Sequence, residues 1–347
     1  MKRRGAIATL ACGLGAGPAR AAEPPQRVRV HGTTDLRIAQ PLIDDFERRH
    51  PELKVEYVEL GSVELHGRAL QRGTDPALQP DVLWSSAIDL QIKLANDGHA
   101  ARHVSMHVPK LPAWAIWKHE AYGTTHEPVG LALNRARLKS HTIPRTRAAL
   151  AALLRDNAAL WRGRVATYDV ERAGLGFLLA AQDLMATSTS WDLVRAIGGC
   201  QPSLHADTHS MLVQVAAGNA VVAYNVLGSY AEAFARRHPE VELVYFDDYT
   251  LVASRVAFVA RTAPNPRGAR LWLDHLLSAP GQTVLAEAGG LYAIRRDITG
   301  AHSATALEQR LGRALRPITL GPGLLAHLDH SKHEAILRRW QQAIAAR

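Results

Sequence analysis

Alternating and helically spaced apolar residues in the first part of the chain predict three strand–helix pairs in succession. Period-two alternation is typical of strands, and apolar residues three and four apart are typical of helices. In the first helix, Leu36, Ala39, Ile43 and Phe46 recur at helical spacing. The predicted order is strand 27–32, helix 36–50, strand 54–60, helix 63–71, strand 81–84 and helix 87–96. This order favours a largely parallel sheet with helices on its faces.

The middle of the chain breaks this alternation. Strands are predicted at 129–134, 164–168, 220–225, 241–246 and 256–259, and the first of them follows no helix directly. After Pro264 the pattern is mostly helical. No internal repeat and no linker rich in Pro, Gly or Ser divides the chain, so we expect α/β domains built from discontinuous segments.

The N-terminus has the order of a secretory signal peptide. Residues 2–4 are basic, residues 5–17 are small or apolar, and Ala19-Arg20-Ala21 is an A-x-A cleavage pattern. We therefore expect export of the chain, with cleavage near Ala21. The apolar run is well below the ~20 residues that a membrane span needs. Lipidation of Cys12 stays open, because only a poor lipoprotein motif precedes it.

The charge of the chain changes once this leader is removed. The 347 residues carry a formal net charge of +9, which invites a nucleic-acid hypothesis. Residues 1–21 hold four basic residues and no acidic one, so the mature charge falls from +9 to +5. No basic-aromatic RNA motif accompanies the scattered arginines, so we expect no nucleic-acid partner. The two cysteines, Cys12 and Cys200, exclude a disulfide scaffold and a Cys-rich metal site.

Small and hydroxyl-bearing residues occupy the predicted strand-to-helix turns. Ligands of open α/β sheets bind at the carboxyl ends of strands, where helix N-termini offer free N–H groups to anions. An arginine in such a turn can add a forked, charge-assisted contact. The candidate ligand-binding residues are Thr33, Thr34, Ser85, Ser86, Tyr168, Arg172, Gly174, Tyr224, Asn225 and Ser229. Each hydroxyl has the alternative role of a plain helix N-cap.

Catalytic motifs are missing from the sequence. It contains no G-x-S-x-G, Walker A or G-x-G-x-x-G pattern, so we predict no catalytic residues, no enzyme activity and no cofactor. A secreted hydrolase stays open, because a triad is recognised by geometry rather than by sequence. His205 and His209 have the spacing of two ligands on one helix face, but they lack the neighbouring Glu of a metalloprotease motif.

Several segments together resemble the periplasmic solute-binding proteins of ABC transporters, of the iron(III)/phosphoglycerate type. They are HGTTD at 31–35, the helix end and strand at 46–57, PDVLWSS at 80–86, AYNVLGSYA at 223–231 and LLSAPGQTVLAEAGG at 276–290. The resemblance implies a type II periplasmic-binding-protein fold, with two discontinuous α/β lobes around a central ligand cleft. By analogy, residues 22–132 plus 252–347 form the first lobe and 133–251 the second, with crossings near 129–134 and 249–254.

The resemblance also implies the function. We expect a monomeric receptor that captures a small anionic solute and delivers it to an ABC transporter permease, without covalent chemistry. Iron(III) is the alternative ligand, and relatives that bind it use two adjacent tyrosines. Here the segment reads Ala223-Tyr224-Asn225, so an iron site would depend on His31, Glu64 and Tyr224 and would be incomplete.

Overall fold

The computed structural model describes residues 26–71, 79–138 and 141–345. The predicted signal peptide and Cys12 lie outside the described residues. The described strands, β1–β13 in chain order, are Gln26–Gly32, Leu53–Glu59, Val82–Ser85, Ile116–Trp117, Ala121–Gly123, Glu127–Asn134, Val165–Tyr168, Ser203–His205, Val222–Leu227, Val241–Val244, Thr250–Ala253, Val256–Val259 and Leu315–Pro317. The α-helices, α1–α14, are Leu36–Arg49, Ser62–Leu70, Ile88–Asn96, Arg135–Leu138, Arg147–Asp156, Ala158–Trp161, Gly174–Ala186, Ser190–Gly199, Thr208–Ala216, Gly228–Ala235, Pro266–Leu277, Ala279–Glu287, Ala304–Leu311 and His330–Ala345.

The strands form two sheets. The first has the order β2-β1-β3-β12-β5-β4, with β1 parallel to β2 and β3 as the opening pattern predicts. The second has the order β13-β11-β6-β9-β7-β8, and β10 also pairs with β6. Amphipathic helices pack on both sheets, because such a helix buries its apolar face against the sheet. In α1, for example, Ala39, Leu42, Ile43 and Phe46 are buried, whereas Leu36, at its first turn, is 41% exposed. None of the described helices is long and apolar enough to cross a membrane.

The chain passes between the sheets three times, the last time between β12 and β13, and the first two crossings are paired. It leaves the first sheet after β5 and enters the second at β6, and it returns between β11 and β12. The two crossing segments bond to each other: the Thr124 amide donates to the Arg255 carbonyl over 2.8 Å, and the Arg255 amide donates to Thr125 Oγ1 over 2.8 Å. The crossings therefore lie side by side at 123–127 and 253–256.

The C-terminal part of the chain returns to the second sheet. Strand β13 pairs with β11 in parallel, and helix α14 packs against α8. Helices α11 and α12, in contrast, pack with α1 and β1 on the first sheet. The segment assigned by analogy to the first lobe, 252–347, thus contacts both sheets.

Candidate functional site

A cavity of about 500 Å³ lies where the carboxyl ends of strands from both sheets meet. Of the residues selected from the sequence, Thr33 and Ser86 line it from the first sheet and Tyr168 from the second. The same cavity contains residues from the turns before α2 and α9, namely Gly61, Ser62, Asp207 and Thr208. The site thus lies between the two layers, at the strand ends where the sequence places it.

Six helix N-termini surround this cavity. The N-terminal residues of α1, α2, α3, α7, α9 and α10, or the residues just before them, are among its lining residues: Asp35, Ser62, Ser86, Leu175, Thr208 and Leu227. The first N–H groups of a helix have no intrahelical partner, and they lie at the positive end of the helix dipole. Their convergence makes the cavity a favourable place for an oxyanion.

Hydroxyl groups order the side of the cavity that belongs to the first sheet. The Ser86 amide donates to Thr33 Oγ1 over 3.1 Å, and the two hydroxyl oxygens lie 3.4 Å apart. Ser85, by contrast, accepts the Ala87 amide over 3.2 Å and is buried. Its hydroxyl bonds within the turn before α3 and does not line the cavity. Thr34 is also buried outside the cavity, and its Oγ1 has no partner among the described residues.

On the other side, Tyr168 is fixed by the start of α9. Its hydroxyl lies 2.6 Å from Thr208 Oγ1, which also accepts the Leu227 amide over 3.2 Å. Burial raises the pKa of Tyr168 well above its usual value, so the phenol stays protonated as a neutral hydrogen-bonding group. Asp207 caps α9 by accepting the Ser210 amide over 2.7 Å.

Arg255 is the cationic residue that the sequence reasoning missed. It is 1% exposed, lines the cavity and lies on the returning crossing segment. Its Nε is 3.0 Å from Glu127 Oε1, and that carboxylate also accepts the hydroxyls of Thr125 and Ser229. Burial is the largest influence and would lower the pKa of Arg255, but Glu127, Tyr230, Tyr57 and Asp35 together outweigh it and raise the pKa. The guanidinium lies 5.3 Å from the Tyr230 ring centroid.

Tyr224 and Asn225 do not face the cavity, contrary to their prediction. Strand β9 continues to Leu227, two residues beyond the predicted end, and its register with β6 shifts at Asn225, which has φ 65°. The bulged Asn225 therefore lies on the same side as Tyr224, and Asp183 accepts the Tyr224 hydroxyl over 2.7 Å and the Asn225 amide over 2.9 Å. Arg147 completes that buried network by donating to Asp183 over 3.1 Å.

Three further candidates also lie outside the cavity. Arg172 is exposed in the turn before α7 and does not line it. Gly174 begins α7, and its amide donates to Ser62 Oγ over 3.0 Å, so it borders the cavity through Ser62. Ser229 is buried and donates to Glu127. The Ser229 hydroxyl thereby helps to fix the Glu127 carboxylate, which pairs with Arg255.

The residues named for an iron site are not brought together. Glu64 lines the cavity, but His31 is buried in β1 outside it and Tyr224 belongs to the Asp183 network. Burial, with Arg68 and Arg29 nearby, lowers the pKa of His31 to about 4. No group of three or more His, Cys, Asp or Glu with metal-site geometry occurs among the described residues.

The His205 and His209 pair does not share a helix face. His205 ends β8 and bonds to Ser203, whereas His209 lies in the first turn of α9 and lines the cavity. Asp207, between them, is the N-cap of α9. The motif is therefore a strand-to-helix turn of the cavity, like those at Thr33 and Ser86.

Comparisons with known proteins agree with this architecture. The sequence profile described as bacterial extracellular solute-binding protein matches residues 32–290. A substrate-binding protein of an ABC transporter from Agrobacterium tumefaciens is 34% identical, with a TM-score of 0.87 over 92% of this chain and 94% of that one. None of the curated proteins matches the chain.

Two more distant structures share the fold alone. The periplasmic binding protein AfuA from Actinobacillus pleuropneumoniae, with fructose-6-phosphate bound, is 14% identical with a TM-score of 0.78, over 93% of this chain and 99% of that one. Iron-bound HitA from Pseudomonas aeruginosa is 17% identical with a TM-score of 0.70, over 92% and 99%. The predicted two-lobed α/β fold is confirmed.

Proposed function

The chain belongs to the bacterial extracellular solute-binding protein family, and we propose that it captures a small organic acid, phosphorylated or carboxylated, for an ABC transporter permease. The coarser statement follows from the family itself: this is a periplasmic solute-binding protein of ABC transport with the type II fold, as the sequence resemblance predicted. The family is one of transport proteins rather than enzymes.

The convergence of six helix N-termini on one cavity carries the proposal of an acidic solute. Their N–H groups and dipole ends favour negative charge, and Arg255 offers N–H donors for a charge-assisted contact. The hydroxyls of Thr33, Ser86 and Thr208 are orientable donors that suit phosphate or carboxylate oxygens. AfuA is described with a sugar phosphate and HitA with iron, so the fold serves both kinds of ligand.

We propose that binding works by closure of two lobes. The first comprises the first sheet with its helices, 26–123 and 256–311, and the second comprises the second sheet, 127–253 and 315–345. Rotation about the paired crossing segments would close the cavity around the solute and form the surface that the permease recognises. The solute shifts this equilibrium only by its higher affinity for the closed state. We further propose a monomer without nucleic-acid partners, and removal of residues 1–21 on export.

The test is a solute screen by thermal shift and calorimetry on protein that begins at residue 22. The panel contains phosphorylated acids, phosphonates, carboxylates and iron(III). We expect an organic acid to raise the melting temperature and to bind without being consumed. Thr33→Ala and Ser86→Ala should each weaken that binding about threefold to tenfold, the usual range for one lost hydrogen bond.

Arg172→Ala is the matched control, because that side chain is exposed outside the cavity. It should leave the affinity unchanged. Tight stoichiometric iron(III) binding without organic-acid binding would contradict the proposed ligand, and turnover of a bound compound would contradict the receptor function. Equal loss in all three variants would contradict the proposed site.

A further inference from the structure

The side chains around the cavity are predominantly acidic. Four carboxylates line it, namely Asp35, Glu59, Glu64 and Asp207, whereas Arg255 is its one lining Lys or Arg among the described residues. A solute that carried only negative charge would meet this excess of like charge at close range. The charges of the lining residues therefore bear on which groups, besides an acidic one, the solute carries.

Three of the four carboxylates already have partners within the protein. Glu59 accepts the Leu36 amide at the start of α1 over 2.8 Å. Glu64 pairs with Arg68 over 2.7 Å on the same helix. Asp207 caps α9. These contacts offset their charges locally, so they do not require a cation from the solute.

Asp35 differs from these three. It is the N-cap residue of α1 by position, and its carbonyl accepts the Ile38 and Ala39 amides. Its carboxylate makes no capping bond and no hydrogen bond or ion pair with any described residue, and the charge of Arg255 acts on it only at longer range. The residue is only partly exposed and lines the cavity. A carboxylate on the cavity wall that has no donor from the protein has its acceptor oxygens free for a solute.

Arg255 provides the independent second observation. It is 1% exposed, and Glu127 engages its Nε at 3.0 Å and its Nη2 at 3.5 Å. Its remaining N–H groups have no protein partner among the described residues, although an arginine has five to satisfy. The cavity thus has one cationic donor and one carboxylate acceptor whose hydrogen bonds the protein itself leaves incomplete.

We propose that the solute is zwitterionic: its phosphate or carboxylate binds Arg255 and the helix N-termini, and an ammonium group binds Asp35. This rests on the proposed function and names the solute class for the same cavity. An ammonium group supplies donors to Asp35 and removes the repulsion that a simple anion would meet there. No bond is made or broken.

The experiment compares matched ligands by calorimetry. Amino acids and aminoalkyl phosphates with chains of two to four carbons, such as β-alanine and O-phosphoethanolamine, are each paired with the amine-free acid, such as propionate and ethyl phosphate. We expect an amine-bearing ligand to bind at least about tenfold more tightly than its partner, the effect of one charge-assisted hydrogen bond. Asp35→Asn should abolish this preference by weakening the amine-bearing ligand, while the amine-free acid, relieved of the Asp35 charge, should bind no more weakly than before. Asp44→Asn, an exposed change of equal charge on the same helix, should preserve it.

The outcomes separate this inference from the proposed function. Equal affinity within each pair, or an unchanged preference in the Asp35→Asn variant, would overturn the zwitterionic solute while the acidic solute stands. Glycerol 1-phosphate that binds as tightly as O-phosphoethanolamine would also overturn it, because a neutral hydroxyl would then suffice at Asp35. If neither these ligands nor any acid in the wider panel binds, both proposals fail.

Discussion

Replacing Glu127 by Gln tests the buried ion pair that joins the crossing segments. The Glu127 and Arg255 side chains are 1% and 2% exposed, so this change leaves the arginine charge buried without its counter-charge. Breaking a buried pair from one side costs about 3–5 kcal/mol. Thr125 and Ser229 donate to different oxygens of Glu127, and Gln keeps an acceptor oxygen for one of these two hydroxyls. We therefore expect the free energy of unfolding to fall by about 3 kcal/mol, the lower end of that range.

Equilibrium unfolding in urea, followed by circular dichroism, measures this loss as a lower midpoint with an unchanged slope. The double variant Glu127→Gln with Arg255→Met contains no isolated charge, so its loss should be smaller than the sum of the single losses by about 2 kcal/mol. Glu242→Gln, which removes an exposed pair with Arg135, is the control and should cost less than about 1 kcal/mol. A loss below about 1 kcal/mol in Glu127→Gln, or additive losses in the double variant, would refute the reasoning.

Three further predictions concern other parts of the chain. His126 is buried, neither of its ring nitrogens has a described hydrogen-bond partner, and burial lowers its pKa to about 4. The free energy of unfolding should therefore fall by up to about 3 kcal/mol as the pH drops from about 6.5 towards 4. In urea titrations His126→Phe should lose this pH-dependent component, and an unaltered pH profile in the variant would contradict the prediction. Burial raises the pKa of Cys200 to about 11, so its thiol should react with Ellman's reagent only after unfolding, and rapid labelling of folded protein would disprove this. Gly198→Ala would place a Cβ 2.0 Å from the Ala343 carbonyl oxygen and should lower the free energy of unfolding by about 1–3 kcal/mol, as measured by thermal unfolding. In the control Gly199→Ala the new Cβ meets nothing within 4 Å, so stability should not change. Similar losses of stability in both variants would argue against this contact.

The sequence could predict much of the fold because strand and helix periods are local. The alternation before residue 97 identified the parallel part of the first sheet and the turns after β1 and β3. Since parallel strands bring their carboxyl ends to one edge, Thr33 and Ser86 could be expected in the same place, and they lie 3.4 Å apart through their hydroxyls. The predicted positions of Thr33 and Ser86 follow from the strand and helix periods alone, which is why the structure places them at the expected edge of the sheet.

A bulge cannot be deduced from the same period. The apolar run before Tyr224 reads as a strand with a regular side-chain alternation, and one inserted residue reverses which face each later side chain occupies. The structure places that irregularity at Asn225, whose positive φ is accessible to asparagine at low cost. Asn225 consequently lies on the same side as Tyr224, and both join a buried network around Asp183 that includes Arg147.

Arg255 escaped prediction for a different physical reason. Arginine is normally exposed, so a single arginine after a strand gives no signal for a binding cavity. Its burial is possible only because Glu127, 128 residues earlier, lies on the other crossing segment and offsets its charge. The Glu127–Arg255 pair depends on how the two crossing segments lie side by side between the sheets, and the spacing of apolar residues along the chain does not predict this arrangement. The same arrangement brings the cavity's cation to the segments that connect the lobes, so the residue best placed to bind an acidic solute also belongs to the region about which the lobes would rotate.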